Sequence, residues 1–287
     1  MTKQTIIRVM TGFLLLLSTA CASAAQPVCY SKADSLCIVS LLKEGQTNTL
    51  FYARKFLGKP YVAYTLEVNN DEQLVINTRE LDCTTLVETV AALTLCARQG
   101  KKSFADYAAM LRQLRYRQGL AKDYTCRLHY FSDWIEDNTR MGFVSEVQKR
   151  VAPFTALQQL SIHYMSKHPN AYAALKAHPE FISEIAKQER ELTGRHYRYI
   201  PKSQVKNTAG LRAAVHDGDI IAITTSKDGL DIAHLGFAVW HKDGLHLLNA
   251  SQLHKKVVEE PMTLRQYLSK HPKHTGIRVI RLQDNKK

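Results

Sequence analysis

The stretch "IAHLGFAVWHKDGLHLLNAS", residues 232–251, alternates apolar with small or polar residues on both sides of a "KDG" turn. That period of two commits this part of the chain to an antiparallel hairpin. On its first arm His234, Gly236, Ala238 and Trp240 share one face, and Leu235, Phe237 and Val239 share the other. A two-residue loop at Asp243-Gly244 pairs Lys242 with Leu245 and Ala238 with Asn249, so that Asn249 emerges on the face of His234; a three-residue loop brings His246 and Leu248 there instead. The Asp-Gly pair favours the first register. "GDIIAITT" and "GIRVIRL", short and β-branched, add strands to the same sheet.

Upstream the period changes. Residues 33–57 read as helix, ending at Gly58 with Pro60 beyond. "QLVINTREL" leads as a strand into Cys83, after which Leu86, Val87, Val90, Leu93 and Leu95 recur at helical spacing as far as Gly100. Asp82 is placed to cap that helix, because its carboxylate can accept the unpaired N–H groups of the first turn. "SFADYAAMLRQLRY" starts at a Ser cap, "YFSDWIEDNTRMG" is amphipathic, and "PEFISEIAKQERELTG" runs from a first-turn Pro to Gly194. The expectation is an α+β chain: one domain over residues 25–287, with a helical lobe at about 84–198 packed against an antiparallel sheet at about 200–282.

The first 24 residues have the layout of a secretory signal peptide: Lys3 and Arg8, an apolar run from Val9 to Leu17, then "STACASAAQ". Cleavage after Ala24 gives an exported, periplasmic protein; processing before Cys21 would give a lipoprotein, but Ser18 is a poor residue for that site. No later apolar run has the length of a membrane span. Without Lys3 and Arg8 the chain keeps 37 basic against 26 acidic residues, spread without a dense cluster. A diffuse positive charge suits carboxylate-rich partners such as cell-wall peptides, and no groove-reading motif points to nucleic acid.

Outside the leader there are five cysteines, Cys29, Cys37, Cys83, Cys96 and Cys126. In an oxidising compartment an odd number leaves at least one free. Cys29 with Cys37, and Cys96 with Cys126, are the candidate bridges, which leaves Cys83; other connectivities and reduced thiols stay open. No C-x-x-C or H-E-x-x-H occurs, so no metal site is expected and no cofactor is implied.

A thiol at a helix start faces unpaired N–H groups and the positive end of the macrodipole, which favour thiolate. Cys83 is therefore chemically fit to be a nucleophile, although such a cysteine also serves as a packing residue or disulfide half. A nucleophile needs a base, and His234, with Asn249 to orient it, gives a Cys, His and Asn set of papain type. Taken alone, His234 reads equally as a hydrogen-bonded core histidine.

The stretches "GKPYVAYTLEVNN", "RELDCTTLVE" and "GLDIAHLGFAVWHKDGLHLLNAS" resemble, in order, spacing and context, the NlpC-type cell-wall cysteine amidases and peptidases. "TLE", "ELDCTT", "RLHYFSDWI", "YIP" and "GLDIAHLGFA" are similar to the N-acetylmuramoyl-L-alanine amidase branch, long carried as a domain of unknown function; the likeness spans about residues 45–282. The resemblance implies a papain-like fold, peptidoglycan fragments as partners, and Cys83, His234 and Asn249 as catalytic residues, although many relatives have a second His at the Asn249 position. It further implies an oxyanion-binding role for Tyr61, substrate contacts for Glu67, Arg127, Tyr130 and Asp231, no metal, and a preference for the terminal 1,6-anhydro-muramyl sugar. Cleavage between γ-D-glutamate and a diamino acid, and a non-catalytic wall-binding module, stand as alternatives.

Overall fold

The computed structural model describes residues 27–284. The expected leader, residues 1–24 with Cys21, lies outside them. The helices are α1 (Lys32–Lys43), α2 (Thr49–Arg54), α3 (Cys83–Arg98), α4 (Phe104–Arg115), α5 (Phe131–Arg140), the short α6 (Tyr164–Lys167) and α7 (Ala173–Ala177), α8 (Phe181–Leu192), α9 (Ala209–Ala214) and α10 (Leu264–Ser269). The strands are β1 (Val28–Cys29), β2 (Leu74–Val75), β3 (Val144–Glu146), β4 (Ala156–Gln159), β5 (His196–Pro201), β6 (Ile220–Thr225), β7 (Ile232–Trp240), β8 (Leu245–Ser251), β9 (Lys256–Glu259) and β10 (His274–Leu282).

The architecture is α+β. One antiparallel sheet runs β4-β5-β10-β6-β7-β8-β9, with β3 also on β10, while β1 and β2 form a separate parallel pair. Ile220, Ala222, Leu235, Phe237 and Leu248 point to one side of the sheet and join α3 in the largest core. Ile221, Ile223, Ala238 and Leu247 point to the other, against Leu211 of α9 and Leu264 and Leu268 of α10. A third cluster, with Tyr130, Met165 and Leu175, lies beneath α6 to α8.

At the centre is α3, buried along one continuous run from Thr85 to Cys96. A helix apolar on all sides has to be enclosed. Val87, Val90 and Leu93 are fully buried, each worth about 1.5–3 kcal/mol relative to exposure. Asp82 caps it as expected: its Oδ1 accepts the Thr85 N–H at 2.8 Å, and Thr85 Oγ1 accepts the Asp82 N–H at 2.9 Å.

Several expectations need correction. Residues 33–57 form two helices, because Gly45 takes a left-handed φ of 65° and Asn48 caps a new start. The expected helical lobe contains β3 and β4, both in the main sheet, and of "QLVINTREL" only Leu74–Val75 is strand. All five described cysteines are free, so neither expected bridge forms. Cys96 faces the core and its thiol meets the Asp106 carbonyl at 3.6 Å, which fixes it between α3 and α4.

The hairpin register also differs. Trp240 pairs with Leu245 and Ala238 with Leu247, and His241 N–H closes onto the Gly244 carbonyl at 2.9 Å, making a four-residue loop. The pairing has moved by two residues, an even number, so Asn249 keeps the face of His234. Gly236 on that face is small because a Cβ there would lie 2.7 Å from the Leu248 carbonyl oxygen.

Candidate active site

The seam between β7 and β8 explains how a helix on one side of the sheet meets a histidine on the other. The two strands pair from Trp240 and Leu245 up to Phe237 and Leu248 and no further, while β7 stays on β6 as far as Ile232. Ala238 N–H bonds toward the β6 side, to the Asp219 carbonyl at 2.8 Å. By alternation Leu235 faces the β8 side, where its N–H has lost its strand partner. Cys83, first residue of α3, sits there, and the Leu235 N–H hydrogen-bonds its sulfur.

His234 and Cys83 line one cavity of about 190 Å³, whose wall also includes His129, Tyr130, Tyr172 and Asp231. His234 Nε2 lies 2.9 Å from Asn249 Oδ1. Asn249 is fully buried, and its Nδ2 donates to Glu260 Oε1 at 3.2 Å and to the Leu247 carbonyl at 3.4 Å. Both of those partners are acceptors, so the amide oxygen is the atom that faces the ring. An oxygen cannot donate, so Nε2 carries the proton and Nδ1 keeps the lone pair of a neutral imidazole.

Burial pushes the Cys83 thiol up to about 12, with the Asp82 carboxylate adding to the rise; the Leu235 N–H only partly offsets them. Burial also pushes His234 down, against its hydrogen bond to Asn249 and the nearby Glu260. Both shifts favour the uncharged forms of thiol and imidazole. Desolvation here acts against the thiolate that the N–H groups of the helix start favour.

Tyr61 stands beside the cysteine through a parallel bridge to Leu81 and an N–H bond to the Lys255 carbonyl at 3.0 Å. Burial, then Cys83 and Asp82, push its hydroxyl up to about 12, so it remains a proton donor at neutral pH.

The other expected substrate contacts divide. Arg127 and Glu67 do not line the Cys83 cavity: the guanidinium binds Glu67 at 2.6 Å and Glu72 at 2.5 Å, and Tyr116 OH donates to Glu72 at 2.6 Å. This buried cluster ties the segment after Tyr64 to the one before His129. Tyr130 and Asp231 do line the cavity, yet their polar atoms face inward: Tyr130 OH donates to Glu189 at 2.6 Å, and Asp231 accepts the Ser132 N–H at 2.6 Å at the start of α5. A larger groove of about 620 Å³ shares no residue with this cavity, and in its wall Arg117 pairs with Asp133 and Arg195 with Glu136.

Sequence reasoning missed His129, Tyr267 and Glu260. His129 lies in the quoted "RLHYFSDWI"; its Nε2 meets the Tyr124 carbonyl at 2.8 Å, and burial pushes the ring down to about 3. Tyr267 stacks near His234 with centroids 6.4 Å apart, and next to His271 at 4.5 Å. Among the described residues no group of three His, Cys, Asp or Glu side chains is arranged to hold a metal ion.

A thiol, an imidazole and an amide thus come together at a break in the sheet of an α+β molecule. The profile of the AmiA-like, N-acetylmuramoyl-L-alanine amidase-like family matches residues 52–277, and the chain belongs to that family. Among solved structures, an N-acetylmuramoyl-L-alanine amidase from Bacteroides uniformis is 43% identical with a TM-score of 0.77, over 83% of this chain and all of its own (100%). A protein from Bacteroides fragilis described as a putative xylanase is also 43% identical, with a TM-score of 0.75, over 81% of this chain and 100% of its own. A Legionella pneumophila protein at 21% identity, with a TM-score of 0.67 over 87% of this chain and 94% of its own, shares the fold. No curated protein matches the chain.

Proposed function

We propose that this protein is a cysteine amidase of papain-like, NlpC type that cleaves the amide between the lactyl group of N-acetylmuramic acid, in its terminal 1,6-anhydro form, and L-alanine in peptidoglycan fragments. The observation that carries the reading is the His234–Asn249 hydrogen bond, which leaves the basic Nδ1 of the ring to the cavity that Cys83 lines. The amidase-like family and the amidase among its structural neighbours supply the bond class.

Because both groups rest neutral, proton transfer accompanies attack. His234 Nδ1 takes the thiol proton as the sulfur adds to the lactyl carbonyl, and Asn249 holds the imidazolium in place. Main-chain N–H at the start of α3 and the Tyr61 hydroxyl serve the oxyanion. The C–N bond breaks as His234 returns its proton to the L-alanine amine, leaving a thioester. The freed imidazole then deprotonates water, which attacks the thioester, and the thiol regains the proton as the muramyl acid leaves.

Glycoside hydrolysis, the activity in the Bacteroides fragilis protein's description, calls for two carboxylates flanking the scissile bond. The wall of the Cys83 cavity supplies one, Asp231, already bound to the Ser132 N–H. Export to the periplasm completes the reading, supported by the leader sequence.

Digestion of defined anhydro-muropeptides by wild type and Cys83→Ala, read by mass spectrometry, tests it. A free peptide beginning with L-alanine from wild type alone is the expected result. A released diamino-acid fragment would instead indicate an endopeptidase; equal behaviour of both proteins, with Cys83 inert to alkylation, would indicate a binding module.

A further inference from the structure

Glu260 follows β9 and is 1% exposed. Its N–H donates to the Leu247 carbonyl at 2.9 Å, which carries the β8–β9 ladder one step further and sets its side chain on the face that bears Asn249. His246 Nδ1 pins the Glu260 carbonyl at 2.8 Å. One carboxylate oxygen meets Asn249 Nδ2 at 3.2 Å, and the other lies 3.1 Å from His254 Nε2, on a ring 32% exposed.

We propose that Glu260 is a positioning residue for the amidase reaction, holding the Asn249 amide so that its oxygen, not its nitrogen, meets the His234 ring. The inference rests on the reading of Cys83 and His234 as the reacting pair.

An amide side chain has two orientations of nearly equal shape, and hydrogen bonding alone chooses between them. The Leu247 carbonyl, at 3.4 Å, is a weak discriminator. The Glu260 carboxylate is a strong one: a flipped amide would set its oxygen against an anion in a buried site. The flip would also present an NH₂ group to Nε2, drive the ring proton to Nδ1 and remove the lone pair that receives the thiol proton. The same charge favours the imidazolium formed in the first step. Of the ionisable groups acting on His234, Asp82 from the start of α3 works in the same sense and His271 in the opposite one. Of these, Glu260 alone bonds Asn249.

Glu260→Gln retains shape and acceptor but loses the charge; Glu260→Ala loses both. Expected is a roughly tenfold fall in kcat for Glu260→Gln and a roughly hundredfold fall for Glu260→Ala, each with KM unchanged, the scale of an outer hydrogen-bond partner. The acid limb of kcat/KM moves to lower pH in Glu260→Gln, because an imidazole without the nearby anion protonates less readily. Nitrogen-15 spectra show the His234 proton on Nε2 in wild type and on Nδ1 in Glu260→Ala, and Glu260→Ala with Asn249→Ala is no slower than Asn249→Ala alone. Wild-type kcat, pH profile and tautomer in Glu260→Gln overturn the proposal, as do losses that multiply in the double variant. If Glu260→Ala does not fold, Glu260→Gln decides. A wild type that leaves anhydro-muropeptides intact sinks the amidase reading instead, and the tautomer comparison still decides the role of Glu260.

Discussion

Asp82 and Thr85 bracket Cys83 in a reciprocal pair of hydrogen bonds, each side chain accepting the other's N–H at 2.8 and 2.9 Å. The aspartate holds the start of α3 in place, and its charge adds to the burial that raises the Cys83 thiol.

Those two effects separate in Asp82→Asn. Asparagine caps as well as aspartate, so the melting temperature should stay within a few degrees. Removing the charge lowers the Cys83 pKa, and alkylation by iodoacetamide at pH 8 should accelerate; an unchanged rate would refute the charge effect. Asp82→Ala should also accelerate alkylation while costing about 1 kcal/mol of stability.

His234→Ala should lower kcat by about 10²–10⁴-fold, the usual worth of a general base, and leave KM nearly unchanged. With the Cys83 thiol pushed up by burial, its alkylation in the wild type should keep rising with pH through pH 9. A plateau near neutrality would show a preformed thiolate and count against the neutral pair.

Arg127 separates a structural from a substrate role. Replacing it by Met strands Glu67 and Glu72, and breaking a buried pair on one side costs about 3–5 kcal/mol. Urea unfolding should show that loss while KM stays at the wild-type value. A raised KM with unaltered stability would restore the substrate-contact expectation.

Three histidines make stability fall in mild acid. Burial pushes His129 down to about 3 and His274 down to about 4, and lowers His234. Their folded-state values lie below the unfolded value of about 6.5, so their contribution is complete above pH 6.5 and shrinks as pH drops. Below pH 6.5 the buried His129 costs up to about 1.4 kcal/mol per pH unit, and the partly exposed His274 costs less because solvent screens it. Urea midpoints at pH 7.5, 6 and 5 should decline, and His129→Gln should flatten the slope by about one proton. A midpoint independent of pH over this range would contradict the assignment.

Much of this molecule is legible in its residues wherever one physical signal dominates. Asp82 before a helical repeat predicts the cap, and alternation through residues 232–251 predicts the strands. The eight-stranded sheet was less legible because "ALQQ" in β4 and "VSE" in β3 are short and half polar, and become strands only by pairing with β5 and β10. Asp243-Gly244 pointed to the tighter loop, yet the structure places Trp240 opposite Leu245, and its N–H donates to Asp217 at 2.6 Å from outside the hairpin. Asn249 survived that error by parity. Glu260 had no signal at all: in "VVEEPM" two adjacent glutamates read alike, and only the ladder to Leu247 sends the second one inward. The burial acting on the Cys83 thiol was not legible, because a sequence shows the helix start but not how much water is left around it.

The parting of β7 from β8 beyond Phe237 and Leu248 has a consequence for anyone mapping this site by mutation. The group that greets the sulfur at Leu235 belongs to the main chain, so an alanine scan passes over it without a trace. Only a residue that lacks an N–H, as in Leu235→Pro, deletes it. That part of the thiol's polar surroundings is therefore invisible to side-chain genetics, and transplanting the cysteine helix onto an intact sheet would leave it behind.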